Sequence, residues 1–300
     1  MTRLVGLDVG TSSVKGVALD GDGGVVALAE RPLELSTPRP GWSEQDPDDW
    51  WAASAAVLYE LGAASADGIG LSGQMHGLVA LGADDRPLRP AILWNDGRTQ
   101  RECEAIEAAV GLERLVELTG NRALAGFTAP KLLWLRDEEP ETFARIRRVL
   151  LPKDYVRLRL CGEHAIDVAD ASGTLLFDVA RRAWSAEVLD ALELDPAWLP
   201  RVLESPEVSG EAFGGVPVAA GAGDQAGGAL GVGVVAEDGP ASVVLGTSGV
   251  VFAALDAYRH DPQARLHAFC HAVPGAWHVM GVMLSAAGSL RWLRSVAGGS

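Results

Sequence analysis

The chain carries one phrase twice. DVGTSSVKGVALD runs from Asp8 to Asp20 and VLGTSGVVFAALD from Val244 to Asp256, at a constant offset of 236, with 7 of 13 aligned positions identical. The shared residues are Gly, Thr, Ser, Val, Ala, Leu and Asp, whereas Asp8 in the first copy faces Val244 in the second. In each copy two apolar runs flank a GTS turn, which is the pattern of paired strands around a tight connection. The fold must therefore hold two similar hairpins, and 300 residues with 48% hydrophobic content leave room for about two domains to hold them. Only 44 residues follow the second copy. If the repeat marks two related domains, the second is incomplete.

Around the first copy, RLVGLDVG, SVKGVALD and VVALAERPL alternate about GTS and DGDGG, predicting an antiparallel meander of three strands. SEQDPDDWWAASAAVLYELG predicts a helix with Asp46 as N-cap, Pro47 at the first helical position and Asp49 near the positive end of the dipole. GIGLSGQMHGLVALG reads as two short strands about a polar kink, and AILWNDG as another strand. From Thr99 to about Leu160 the pattern is helical: RECEAIEAAVG, LERLVELTG, KLLWLRDEEP, ETFARIRRVL and DYVRLRLCG, punctuated by Pro130, Pro140 and Pro152. SAEVLDALEL continues as a helix, and GVPVAA is a strand that breaks into the glycine-rich turn GAGDQAGGALG. LHAFCHAVPGAWHVMGVML predicts a hairpin about Pro274-Gly275, and SAAGSLRWLRSVAGGS starts a final helix.

Composition removes several function classes. Acidic residues outnumber basic ones by 40 to 25, and the resulting net charge of −15 repels nucleic-acid phosphates and anionic lipid. No apolar run approaches the ~20 residues of a membrane helix. The start MTRLVGLDVGTSS lacks a basic segment followed by an apolar one, so no cleaved signal peptide is expected. Three widely spaced cysteines, Cys103, Cys161 and Cys270, fit reduced thiols in a cytoplasmic protein.

The chemistry concentrates at strand ends. A GTS turn gathers backbone N–H groups and hydroxyls at one point, which suits phosphate oxygens, and two turns can grip a polyphosphate from opposite sides. An ordinary hairpin turn is the plainer reading of either copy alone. Thr11 and Ser12 in the first copy, and Gly246, Thr247 and Ser248 in the second, are the phosphate-binding candidates. Asp8 supplies a carboxylate where Mg²⁺ needs an oxygen ligand. Lys15 reads either as a phosphate contact or as a solvated charge on an edge strand.

In GAGDQAGGALG, Gly221, Gly223 and Ala226 mimic a dinucleotide fingerprint, yet the next strand runs into LGTSG with no acid to hold a ribose. The better reading uses Asp224 itself, a carboxylate placed to accept a proton from a hydroxyl attacking phosphorus. A helix N-cap is its structural alternative. In SGQMHG, Gln74 and His76 offer hydrogen-bond partners beside the apolar Met75, the mixture a sugar or polyol requires. WNDGRT offers Asn95, Asp96 and Arg98, and a surface loop ending in a helix cap explains it equally well. His267, Cys270, His271 and His278 suggest zinc, but strand geometry puts His267 and His271 on one face and Cys270 on the other, favouring core or site-wall roles.

Together GLDVGTSSVKGVALD, GWSEQDPDDWW, LSGQMHGLVALG, RPAILWNDGRT, LTGNRALAGFTAPKLLWLRDEEP, DASGTLLFDV, GAGDQAGGALG and VVLGTSG resemble, in order, the carbohydrate kinases of the FGGY family, and within it the xylulokinases. The resemblance implies an α/β fold of the ribonuclease H-like kind shared with actin, hexokinase and Hsp70: two domains facing a cleft. Residues 1–232 would be the complete sugar-binding N-terminal domain, and 233–300 the start of the C-terminal domain with the second phosphate loop. It also implies ATP and Mg²⁺ as cofactors and phosphorylation of D-xylulose to D-xylulose 5-phosphate. By the same resemblance Asp224 is the catalytic base and Asp8 the carboxylate near Mg²⁺. Thr11 and Ser12 belong to the first phosphate loop, Gly246, Thr247 and Ser248 to the second, and Met75 and His76 fall on the sugar-binding segment. Family members are longer and carry an adenosine-binding segment that this sequence does not reach. Another small sugar or polyol as substrate, a sugar-binding fragment without turnover, and homodimerisation all stay open.

Overall fold

In the computed structural model, which describes residues 2–246, 248–283 and 285–298, the expected meander opens the chain. β1 (Arg3–Val9), β2 (Ser13–Asp20) and β3 (Val25–Pro32) pair antiparallel in succession. Alternation decides the faces: Val5, Leu7 and Val9 are buried on one side of β1, and Asp8 stands on the other.

After β4 (Glu44–Gln45), α1 (Pro47–Glu60) begins where its start signals lie. The Asp46 carboxylate accepts from the Asp48 N–H, Pro47 opens the helix, and Asp48 and Asp49 occupy the first turn. Trp50, Val57 and Leu58 bury against Val5, Leu7, Val9 and Val14 of the sheet. Gly16 permits this approach, since a Cβ there would stand 2.4 Å from Val57 Cγ1.

β5 (Gly68–Gly73) and β6 (Val79–Leu81) flank the polar kink, and β7 (Ala91–Ile92) pairs with β4. The helical stretch holds α2 (Gln100–Val110), α3 (Leu112–Thr119), α4 (Thr128–Glu138) and α5 (Pro140–Ala144). ETFARIRRVL is only half helical, however: its end is β8 (Arg148–Leu150), which pairs with β6. Ladder hydrogen bonds to Val79–Leu81 and burial of Val149 and Leu150 outweigh a weak helical preference there. α6 (Pro152–Cys161), β9 (Ala165–Asp167), α7 (Val168–Ser172), β10 (Phe177–Asp178), β11 (Ala183–Trp184), α8 (Ala186–Ala191) and β12 (Arg201–Leu203) follow.

β13 (Val208–Ala212), β14 (Val216–Ala219) and β15 (Ala222–Gly223) then return to the first sheet, whose order is β13-β14-β5-β1-β2-β3 with β15 beside β5. β1 and β5 are parallel, and so are β5 and β15. Lys15 therefore lies on an interior strand, not an edge strand; β3 is the edge, and Lys15 is exposed because it projects from the sheet face. The expected glycine-rich turn is instead α9 (Asp224–Gly231).

The second copy of the phrase forms a second hairpin. β16 (Ser242–Leu245), β17 (Gly249–Leu255), β18 (His267–Cys270) and β19 (Trp277–Met283) make an antiparallel sheet ordered β16-β17-β19-β18, and α10 (Ala287–Val296) follows. The two hairpins differ by one residue: Val9 faces Val14 across the first turn, whereas Leu245 faces Gly249 across the second. Phe252, Phe269 and Met280 share a core with Phe127, Leu132 and Leu133 of the helical region. Asn121 Nδ2 donates to the Ala268 carbonyl at 3.2 Å at the same seam. Among the described residues no helix is long and apolar enough to cross a membrane.

Candidate active site

β1, β5 and β15 run parallel and end together, the place where open α/β sheets carry ligands. The first GTS turn follows β1, Gln74, Met75 and His76 follow β5, and Asp224 follows β15 at the first position of α9. A cavity of ≈130 Å³ forms there, lined by Met75, His76, Trp94, Asp224, Gln225 and Ser248 with Val250, Met280 and Val282. Three segments singled out in the sequence, SGQMHG, GAGDQA and the second GTS turn, therefore meet at one cavity.

Two glycines let Asp224 reach it. Gly221 has φ +77°, and a Cβ there would stand 2.0 Å from the Leu71 carbonyl oxygen. At Gly223 a Cβ would stand 2.7 Å from Met75 Cγ and 3.1 Å from Asp170 Oδ1. The GAG run thus serves close strand approach, which is a different job from a dinucleotide fingerprint. Burial pushes the Asp224 carboxyl up to about 6, and the charge of Asp8 adds to it, while contacts to Gln225 oppose the shift.

His76 sits in the left-handed region at φ +68°. A non-glycine residue there costs about 1 kcal/mol, so the surroundings must hold it. Its Nδ1 lies 2.7 Å from the Gly173 carbonyl, which can only accept, so Nδ1 carries the proton. Burial pushes this imidazole down to about 3, with the Lys131 charge contributing, so it is neutral at ordinary pH.

Gln74 does not line the cavity. Its amide braces the first turn instead: Nε2 donates to the Gly10 carbonyl at 3.4 Å and Gln45 Oε1 at 3.1 Å, and Oε1 accepts from Thr11 Oγ1 at 3.1 Å. Thr11 Oγ1 also accepts from Trp94 Nε1 at 3.0 Å, so this hydroxyl is committed to the protein. The Gly10 N–H closes the turn on the Ser13 carbonyl, leaving the exposed Ser12 with no side-chain partner among the described residues. In the second turn the Gly246 N–H donates to the Ser248 carbonyl at 2.8 Å. Thr247 lies outside the described residues.

Asp8 and Lys15 line a separate, larger cavity of ≈490 Å³ on the sheet face, with Ser72, Gly221, Gly227 and apolar neighbours. Asp8 Oδ1 is buried without a hydrogen-bond partner among the described residues, the state of an oxygen that suits a cation. Burial raises its pKa, against the charge of Lys15 and a hydrogen bond from Ser72. Lys15 pairs loosely with Glu30 at 3.8 Å.

Most other polar groups singled out in the sequence are structural, and Asn95 is exposed and outside the cavity lining. Asp96 is buried, accepting from the Ser43 N–H at 2.6 Å and from Arg98 Nη2 at 2.6 Å, and Arg98 stacks over Trp42 at 3.6 Å. The WNDGRT residue that reaches the cavity is Trp94, whose only signal in the sequence is an aromatic at a strand end. The histidines do not converge on a metal. His267 Nδ1 meets Asn121 Oδ1 at 2.7 Å, His271 Nε2 meets the Val234 carbonyl at 2.9 Å, and His278 stacks on Phe252 at 4.2 Å. Asp154, Asp167 and Asp170 do cluster, but around Lys153 Nζ at 2.5, 2.8 and 3.4 Å. All three cysteines are unpaired.

Known proteins resemble this chain in sequence and fold. Residues 3–231 match the FGGY family of carbohydrate kinases, N-terminal domain. The chain is 47% identical to the xylulose kinase of Escherichia coli K12 over 307 aligned positions, which span 98% of this chain and 63% of that protein. It superposes on the structure of a xylulose kinase from Brucella ovis with a TM-score of 0.95 at 46% identity, covering 99% of this chain and 64% of the other. For a xylulose kinase from Rhodospirillum rubrum the TM-score is 0.93 at 31% identity, with 99% and 64% covered. The chain thus spans somewhat under two thirds of the length of these relatives. By a family match over most of its length and by a fold superposing on kinase structures, this chain belongs to the FGGY family of carbohydrate kinases.

Proposed function

We propose that the chain is the sugar-binding and phosphate-gripping part of an ATP-dependent xylulokinase, with Asp224 as the general base. Residues 1–232 serve as its N-terminal domain and 233–300 as the start of its C-terminal domain. The observation that carries this reading is the shared cavity of Met75, His76, Asp224 and Ser248, with the Asp224 carboxyl desolvated at its wall.

At ≈130 Å³ the cavity is far below the ~300–1,000 Å³ of sites for drug-sized ligands, which fits a small polar molecule. Met75 supplies an apolar wall, Trp94 a flat one, and His76 an acceptor. The 5-hydroxyl of D-xylulose attacks the γ-phosphorus of ATP: the O–P bond to sugar forms, the O–P bond to ADP breaks, and the hydroxyl proton passes to Asp224. A base near pKa 6 takes that proton better than an aspartate at 3.8, and its orientation of the hydroxyl matters as much as its basicity.

Ser248 of the second turn lines the cavity and the exposed Ser12 of the first turn is free to meet a phosphate, while Gln74 and Thr11 keep the first turn in shape. Asp8, through its unpartnered Oδ1, is the residue to hold Mg²⁺, which neutralises phosphate charge when bound. Lys15 lies on the same face, opposite Asp8 in the strand register. The xylulose assignment draws on the names of the relatives at 31–47% identity. A panel of pentuloses, hexuloses, gluconate and glycerol, assayed with ATP and the protein carrying its full second domain, tests it. D-Xylulose is expected to give the highest kcat/KM, and preference for any other member of the panel overturns the assignment.

A further inference from the structure

His76 is held from three directions. Its carbonyl accepts two hydrogen bonds, from Lys131 Nζ at 2.9 Å and from Thr128 Oγ1 at 3.0 Å. Lys131 is fully buried, and its Nζ also donates to the Gly126 carbonyl at 2.6 Å, tying the segment before α4 to the kink after β5. On the other side the Gly173 carbonyl accepts from His76 Nδ1 at 2.7 Å. A Cβ at residue 173 would stand 2.5 Å from that Nδ1 and 2.6 Å from Cε1, so only glycine leaves the ring where it is. Phe127 packs on the imidazole with centroids 4.7 Å apart.

A fully buried lysine spent on two backbone carbonyls is an expensive arrangement, and the strained φ of +68° at His76 is what it stabilises. We infer that Lys131 and Gly173 are positioning residues that act through His76, fixing it as the Nδ1–H tautomer with Nε2 turned to the sugar as an acceptor only. Nε2 takes no hydrogen-bond partner among the described residues, and His76 lines the cavity. Such a nitrogen accepts from a sugar hydroxyl and offers nothing to a carboxylate, whose oxygens can only accept. The device therefore disfavours a ligand that puts a carboxylate against His76, so an aldonate loses to a ketose wherever its acid end meets this nitrogen. This inference rests on the sugar-kinase reading for the identity of the ligand, but the tautomer does not.

The test uses the 300-residue chain with ¹⁵N-labelled histidine. Two-bond proton–nitrogen spectra at neutral pH, with the His76 signals assigned by their loss in His76→Gln, should show the Nδ1–H tautomer in the wild type. Lys131→Met and Gly173→Ala should each mix or reverse it. Thr128→Val, which keeps the side-chain shape and removes one of two donors, should perturb it less and guards against a Lys131 variant that fails to fold. Calorimetry with D-xylulose and with gluconate supplies the second readout: loss of the anchor should weaken D-xylulose about tenfold and narrow its advantage over gluconate. A wild-type His76 in the Nε2–H or doubly protonated form overturns the inference. So do folded variants with unchanged tautomer and unchanged ketose preference. A chain that binds no sugar yet shows the tautomer and its loss in the variants supports the positioning role and overturns instead the proposal that these 300 residues form the sugar-binding part.

Discussion

Asp8 and Asp224 stand at the carboxyl ends of β1 and β15 with only β5 between them, and the charge of the first raises the pKa of the second. The repeat explains why there is one such carboxylate and not two. The second copy has Val244 at the equivalent position, exposed and facing Val250, so its hairpin offers hydroxyl and backbone alone. Under the proposed function that single difference divides the labour between the two turns, metal at the first and phosphate at the second.

From the pair follows a pH prediction. With Asp224 at about 6, kcat/KM of the protein carrying its full second domain should fall as pH drops through that value, because the base becomes protonated. Asp8→Asn removes the second cause of the shift but not the first, which is burial. The acid limb should therefore move to lower pH yet remain above 3.8, alongside a weakened Mg²⁺ dependence. An acid limb unmoved by Asp8→Asn contradicts the coupling.

The same shift has a price in stability. The folded pKa of Asp224 lies above its unfolded value, so at pH above about 6 the native state holds a carboxylate it disfavours. A rise of roughly two units corresponds to about 3 kcal/mol, and partial exposure at the cavity reduces this to about 1–2 kcal/mol. Asp224→Asn should stabilise the fold by that amount above pH 6. The gain should shrink as pH falls and vanish below about 4, where both states are protonated. Denaturant unfolding at pH 4 and pH 7.5 reads the difference.

Much of the first sheet, the start of α1 and the last hairpin of the second sheet could be read from residues, because their signals are local. Alternation in β1 to β3, the Asp46-Pro47 start of α1 and the Pro274-Gly275 hairpin need no distant partner. β8 needs β6 across 67 residues, and that pairing left no mark in ARIRRVL. α9 carries three glycines and reads as a turn; burial of Ala226 and Ala229 overrides their cost of about 1 kcal/mol each. Gln74 shows the limit at the site. Its neighbours Met75 and His76 reach the cavity, yet Gln74 turns back to Gly10, Thr11 and Gln45, a matter of side-chain direction that residue type does not reveal.

Two glycines separate site from scaffold. Gly16→Ala forces a Cβ against Val57 of α1, outside the lining of the ≈130 Å³ cavity, and should cost about 1–3 kcal/mol with sugar affinity unchanged. Gly223→Ala pushes on Met75 Cγ and Asp170 Oδ1 beside Asp224, and should weaken sugar binding at a similar cost in stability. Thermal unfolding together with calorimetric titration distinguishes them. Equal loss of affinity in both variants runs against the placement of the cavity.

Trp94 offers a check on the cavity wall. Trp94→Phe keeps an aromatic face but loses the N–H that donates to Thr11 Oγ1, a bond worth about 1 kcal/mol. The KM for sugar should rise about fivefold, and Trp94→Ala should raise it further. Unchanged KM in Trp94→Ala removes Trp94 from the sugar site.

The central claim is that Asp224 accepts the proton of the hydroxyl that attacks phosphorus. Its most direct test is single-turnover transfer of phosphate from ATP to D-xylulose by the protein with its complete second domain, comparing wild type with Asp224→Ala while measuring sugar affinity on the same samples. The account predicts a fall in transfer rate of about 10²–10⁴-fold with the sugar dissociation constant changed only a few-fold. Transfer within tenfold of wild type would contradict it.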